Sequence, residues 1–115
     1  MLHEPAEKLA AETIDRHRAI RSVMEELEAI DWYQQRVEAV EDPELREILQ
    51  HNRDEEIEHA SMVIEWLRRH DPVFRRQLAL HTNHEGPIVG EEEGEAGGTR
   101  DAEGRAGKGS GEKPR

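Results

Sequence analysis

The 115-residue chain contains no cysteine. That absence removes disulfides, thiolate zinc sites, iron–sulfur clusters and cysteine nucleophiles together, and leaves any metal to oxygen and nitrogen donors. Aromatic residues are scarce: two Trp, one Tyr and one Phe. With an apolar fraction of 34% they give little material for a large core, so a partner is expected to complete it. No apolar run approaches the ~18 residues that a membrane span requires, and no positively charged start leads into an apolar signal core. The chain therefore reads as soluble, intracellular and cytoplasmic, with no membrane association. Bases are outnumbered as well, 16 against 27 acids, for a formal net charge of −11. A balance of that sign repels nucleic acid and anionic lipid and attracts cations.

What is present is a helical pattern. In "HEPAE", Pro5 suits a first helical position, and Glu4 and Glu7 sit where the helix dipole favours negative charge, which predicts a helix starting there. It meets no Gly or Pro until "VEDPE", where Asp42 can cap and Pro43 can open a second helix. "RRHDPV" repeats the signal with Asp71 and Pro72, opening a short third helix in "VFRRQLALHTN" that "EGP" ends. Two long helices joined by so short a link fold back as an antiparallel hairpin. The expected fold class is all-α, a two-helix hairpin plus a short C-terminal helix, over residues 1–89. From Gly90 the character changes: eight of the nine glycines fall in residues 90–115, no large apolar residue follows Val89, and seven acids mix with five bases. That composition predicts a disordered, solvated tail.

At about 100° per residue, the second helix gathers Leu45, Ile48, Leu49, Ala60, Val63 and Leu67 in one sector, together with Asn52, Glu56 and His59. Glu56 lies close to the centre, whereas Glu47, Asp54, Glu58, Glu65 and Arg68 point elsewhere. A carboxylate among aliphatic side chains is costly unless a cation or a hydrogen-bond partner compensates it. Glu56 and His59, three residues apart, can both reach one ion. In the first helix Val23, Leu27, Ile30 and Val37 set the apolar sector, with Glu26 on its flank and Tyr33 further along. The hairpin thus brings Glu26 opposite the Glu-x-x-His pair, which is half of the ligand arrangement of a di-iron four-helix bundle.

Two chains paired about a twofold axis would supply the other half, each giving one Glu26, one Glu56 and one His59, while burying the apolar stripes a lone hairpin leaves wet. Four carboxylates and two imidazoles suit iron or manganese, with zinc as a redox-silent occupant. The same residues admit other readings. Glu-x-x-His pairs arise by chance in Glu-rich helices, and Arg16 or Arg53 could neutralise a half-buried Glu. The chain would then be a non-catalytic helical scaffold, and a redox-silent zinc or manganese protein is a third alternative. His17, His51, His70, His81 and His84 project off the stripe centres or lie near helix ends and read as structural or exposed. On the far side of the first helix Glu25, Glu28 and Trp32 share one face; an indole there marks a second contact surface.

The segments "HRAIRSVMEELEAIDWYQQR" and "HNRDEEIEHASMVIEWLRR" closely resemble the two helices of encapsulated ferritins, ferritin-like ferroxidases housed in encapsulin nanocompartments, and the likeness spans about residues 2–89. The resemblance implies a ferritin-like four-helix bundle completed by dimerisation, a ring-shaped decamer built as a pentamer of dimers, and a di-iron centre at one dimer interface. It implies oxidation of Fe(II) to Fe(III) with oxygen, the mineral being held by the surrounding encapsulin shell. Glu26, Glu56 and His59 match the family's iron ligands, with Tyr33 beside them; calcium, manganese or zinc would be surrogate occupants. Glu25 and Glu28 match an outer acidic metal-attracting site next to Trp32. One departure stands out. Family members that travel as separate cargo usually end in a Gly-Ser-Leu-type peptide that binds the shell, whereas "GEEEGEAGGTRDAEGRAGKGSGEKPR" has no Leu, Ile or Val. Removal of that peptide, another docking mode, or its absence from the outset all stay open.

Overall fold

The computed structural model describes residues 1–90, so the expected Gly-rich tail lies, apart from Gly90, outside the described residues. Among these, the chain is all-helical: a short 3-10 turn at Ala6–Lys8, then α1 (Ala11–Ala39), α2 (Pro43–His70) and α3 (Pro72–His81). The long first helix starts later than "HEPAE" predicts. Pro5 leads only the 3-10 turn, and Leu9 and Ala10 then take extended backbone angles before α1 begins. Ala10 has no side-chain oxygen to cap with, so nothing in the sequence marks this second start.

The break between α1 and α2 falls where the Asp-Pro signal places it. Asp42 Oδ2 accepts a hydrogen bond from the Leu45 amide at 2.8 Å, satisfying one of the amides that a helix start leaves unpaired. Arg46, in the first turn of α2, reaches back to the end of α1: its Nε donates to the Val37 carbonyl at 3.2 Å and its Nη2 donates to the Val40 carbonyl. Carbonyls at a helix C-terminus lack intrahelical partners, so one guanidinium fork ties the two helices together at the turn. From that latch the helices run antiparallel. Glu26 lies eleven residues back from Val37 on α1, and Glu56 lies ten residues on from Arg46 on α2. Each is therefore about 15–17 Å from the turn at 1.5 Å per residue, and their carboxylates meet across the hairpin.

Met1–Leu67 forms one compact unit, and a second begins at Arg68. Within the second, the Asp-Pro device recurs. Asp71 Oδ1 accepts from the Val73 and Phe74 amides at 3.0 and 3.2 Å, and Arg75 donates from Nε and Nη2 to the Arg68 and Arg69 carbonyls at 3.3 and 3.1 Å. Asp-Pro-x-x-Arg is thus used twice, the Asp capping the new helix and the Arg closing the old one.

Buried apolar residues are few among the described residues: Val37, Ala60 and Leu67. Large apolar side chains remain exposed in number, among them Ile20, Met24, Leu27, Leu45, Ile48, Ile57 and Met62. Three of these correct the helical projection. Leu27, expected in the apolar sector of α1, is 53% exposed because it stands about 60° round from the row of Val23, Ile30 and Val37. Leu45 sits in the first turn of α2, opposite the end of α1, with no facing helix to cover it. Ile48 is exposed on the flank of its sector, where no element of this unit covers it.

Candidate metal centre

Three side chains that sequence spacing placed on facing stripes meet in space. Glu26 from α1 and Glu56 and His59 from α2 each offer a ligand atom within 4.8 Å of the others, and they are the only such group of three among the described residues. The His59 Nδ1 lies 3.6 Å from Glu56 Oε1, as the i,i+3 spacing allows. All three are half-buried; the side chains of Glu56 and His59 are 26% and 44% exposed. The group therefore sits at the edge of the hairpin's interior, with one side open.

Its electrostatics are those of a site short of positive charge. Glu26 Oε1 is buried and has no hydrogen-bond partner. Burial pushes the Glu26 carboxyl above its ordinary range, the Glu56 carboxylate adds to the rise, His59 counters it, and Glu25 adds a smaller upward push. A neutralising arginine is not what meets this oxygen: the Arg53 guanidinium donates to Asp54 Oδ1 at 2.8 Å instead, and its own Nε is buried without a partner. A buried acceptor without a donor, two carboxylates converging, and an imidazole beside them make a hard oxygen and nitrogen set compatible with a divalent cation such as iron, manganese or zinc.

The sequence matches the EncFtn-like family profile over residues 1–85. The chain belongs to the EncFtn-like family. This EncFtn-like chain is 55% identical over 113 residues to an encapsulated ferritin-like protein of Rhodospirillum rubrum, covering 95% of this chain and 81% of that protein. It is 44% identical over 105 residues to a ferritin-like protein of Thermotoga maritima, covering 91% and 92% of the two. A crystal structure of a Nitrosomonas europaea protein, 56% identical, superposes with a TM-score of 0.69 over 76% of this chain and 97% of that one.

Other residues singled out from the sequence lie apart from the triad. Tyr33 is half-buried on the same side of α1 as Glu26, and the Arg36 guanidinium lies over its ring at 5.4 Å and over the Trp32 ring at 5.9 Å. Trp32 is 49% exposed and, with Gln35 and Arg36, lines a shallow open depression. Glu25 and Glu28 are exposed, Glu25 3.9 Å from Arg21, and among the described residues they join no group of three metal donors. His51 is exposed; His81 and His84 turn a ring nitrogen to the Ile88 and Glu85 carbonyls.

Two features escaped sequence reasoning. Arg36 stacks on both aromatic rings, a placement foreshadowed only by the i,i+3 and i,i+4 spacing to Tyr33 and Trp32. Glu55, which the helical projection did not single out, stands between two histidines. Its Oε2 is 3.8 Å from His51 Nε2 and its Oε1 is 3.9 Å from His59 Nε2. The signal was the His-x3-Glu-x3-His spacing of one helical face.

Proposed function

We propose that this EncFtn-like chain is a ferroxidase that takes Fe(II) as substrate and oxidises it to Fe(III) with oxygen, at a centre completed by a second copy of the chain. The observation that carries this reading is the buried Glu26 oxygen with no donor, converging with Glu56 and His59. Three donors from one hairpin leave an ion under-coordinated, and a twofold partner presenting the same three would supply six around a pair of ions. The exposed Ile48 and Met62 give such a partner an apolar surface to cover.

Each residue has a definable part. Glu26 and Glu56 are anionic ligands that favour the more highly charged Fe(III) over Fe(II), and so make loss of an electron easier. His59 supplies a neutral nitrogen that anchors an ion beside Glu56. Each Fe(II) gives up one electron, and oxygen takes the electrons from the pair. Tyr33, under the Arg36 guanidinium, lies on the Glu26 side of α1 two turns further along. Glu25 and Glu28, with the overall acidic charge, raise the local concentration of Fe(II) outside the centre. The family match and the likeness to an encapsulated ferritin-like protein of Rhodospirillum rubrum support an iron-handling role inside an encapsulin compartment, and the ring of ten subunits that the resemblance implies is part of the same proposal.

The test is anaerobic addition of Fe(II) followed by air, read by ferric absorbance. The parent oxidises iron, and Glu56→Ala and His59→Ala do not. Parent-like oxidation by both variants would overturn the reading. Native mass spectrometry with and without Fe(II) reports subunit number and metal count on the same sample.

A further inference from the structure

The geometry points to Glu55 as the residue that orients His59, holding the proton on Nε2 so that Nδ1 faces the metal; this rests on the ferroxidase reading of the Glu26, Glu56 and His59 group. The His59 ring is bracketed by carboxylates. Its Nδ1 is turned to Glu56 Oε1 at 3.6 Å and its Nε2 to Glu55 Oε1 at 3.9 Å. A neutral imidazole carries one N–H and one lone pair, so the two nitrogens cannot do the same job. Nδ1 is the nitrogen nearer to Glu56, which belongs to the triad, and Nε2 is the one nearer to Glu55, which does not. Once an ion occupies the triad, Glu56 and Nδ1 are both engaged, and Glu55, 3.9 Å from Nε2, is the carboxylate that a small side-chain rotation brings into hydrogen-bond distance of Nε2–H. A ligand histidine whose second nitrogen donates to a carboxylate is fixed in rotation and made more basic.

The position of Glu55 on α2 adds to this. Ile48, Glu55 and Met62 are spaced by seven residues and so lie along one line of the helix, and the two apolar members are exposed. A partner chain covering Ile48 and Met62 covers Glu55 with them, and loss of water strengthens its contact to His59. Glu55 Oε2 lies 3.8 Å from the exposed His51, a surface pair on the side away from His59. Glu55 is a positioning residue here and not a ligand of the triad's ion.

The experiment uses the full chain and Zn(II) as a redox-silent probe, with affinity measured by calorimetry and the His59 ring nitrogens followed by 15N NMR at a pH where the imidazole is neutral. Glu55→Ala should weaken Zn(II) binding by about 10–100-fold and shift His59 from a single Nε2–H form to a mixture of tautomers. Glu55→Gln, which keeps an acceptor oxygen, should fall between the two. His51→Ala and Glu47→Ala should bind like the parent, the first because it removes a surface His–Glu pair only, the second because it removes one acid of the same helix. Parent-like affinity and an unchanged His59 spectrum in Glu55→Ala would overturn the proposal, as would equal weakening in either control. The underlying reading fails separately: it is lost when Glu56→Ala and His59→Ala bind Zn(II) like the parent, whatever Glu55→Ala does.

Discussion

The carboxylates of Glu26 and Glu56 converge to within 4.8 Å across the α1–α2 hairpin, and the Glu26 oxygen that is buried meets no donor. Two negative charges at that separation repel by about 1 kcal/mol at the dielectric of water and about 3.5 kcal/mol at an effective dielectric of 20. Nothing in the fold of a single hairpin requires such a pair. The metal-free protein therefore carries a local cost that a bound cation turns into a gain.

Replacing Glu26 by Gln should accordingly stabilise the metal-free protein while removing its response to metal. The sign of the pH dependence follows from the raised carboxyl. The folded state holds the Glu26 proton more tightly than the unfolded state, so this group favours folding below its unfolded value, near 4.5, and that contribution is lost as pH rises through the folded value. The stability gap between Glu26→Gln and parent should be small at pH 4 and widen toward pH 7. In melting temperature it should appear as about 4–8 °C per 1 kcal/mol in a domain of this size. Calorimetry at matched protein concentration checks it. Saturation with metal at 100 times its Kd should stabilise the parent by about 2.7 kcal/mol and leave the variant nearly unmoved.

How much of this was legible in the sequence follows the range of the interactions. Asp42-Pro43 and Asp71-Pro72 announced both helix starts because capping and the proline restriction are local. Glu26, Glu56 and His59 were found because apolar periodicity fixes the buried face of each helix, and a short turn fixes which faces oppose. The extended step at Leu9 and Ala10 was hidden, since no residue there carries a distinctive preference. Glu55 and the two latch arginines were hidden for another reason: a carboxylate or guanidinium contact depends on rotamers and on the exact register of the turn, which spacing does not specify.

The Arg46 latch makes the clearest stability prediction. Arg46→Ala leaves the Val37 and Val40 carbonyls without the guanidinium donors they have now. Hydrogen bonds from a charged donor are worth about 1.5–3 kcal/mol, and partial exposure puts this pair toward the lower end. Arg46→Lys should recover little, because an ammonium does not present a fork to two carbonyls. Urea unfolding should show both variants with lowered midpoints, and amide exchange should be fastest near Val40 to Leu45.

Leu27 and Met24 test assembly separately from chemistry. Both are about half exposed and lie with Ile20 along one stripe of α1, off the row that packs on α2. A charge within such a stripe opposes burial by a second copy without touching the hairpin interior. Leu27→Glu should shift the particle mass toward smaller species in sedimentation while the far-UV spectrum stays helical. Metal uptake per chain should fall with it. Retention of the parent's mass and metal count would mean that copies meet through a different face.

Glu25 and Glu28 separate attraction of iron from its oxidation. They are exposed, they stand outside the Glu26, Glu56 and His59 group, and they join no set of three donors among the described residues. Their effect on Fe(II) should therefore be one of local concentration, which salt screens over about 8–10 Å at physiological strength. The double variant Glu25→Gln and Glu28→Gln should raise the Fe(II) concentration needed for half-maximal rate by several fold at low ionic strength and leave the maximal rate close to the parent's. Raising the salt should bring the two proteins together. If instead the maximal rate collapses at saturating Fe(II), these carboxylates take part in the oxidation step, and the division of labour between an outer acidic face and an inner triad is wrong.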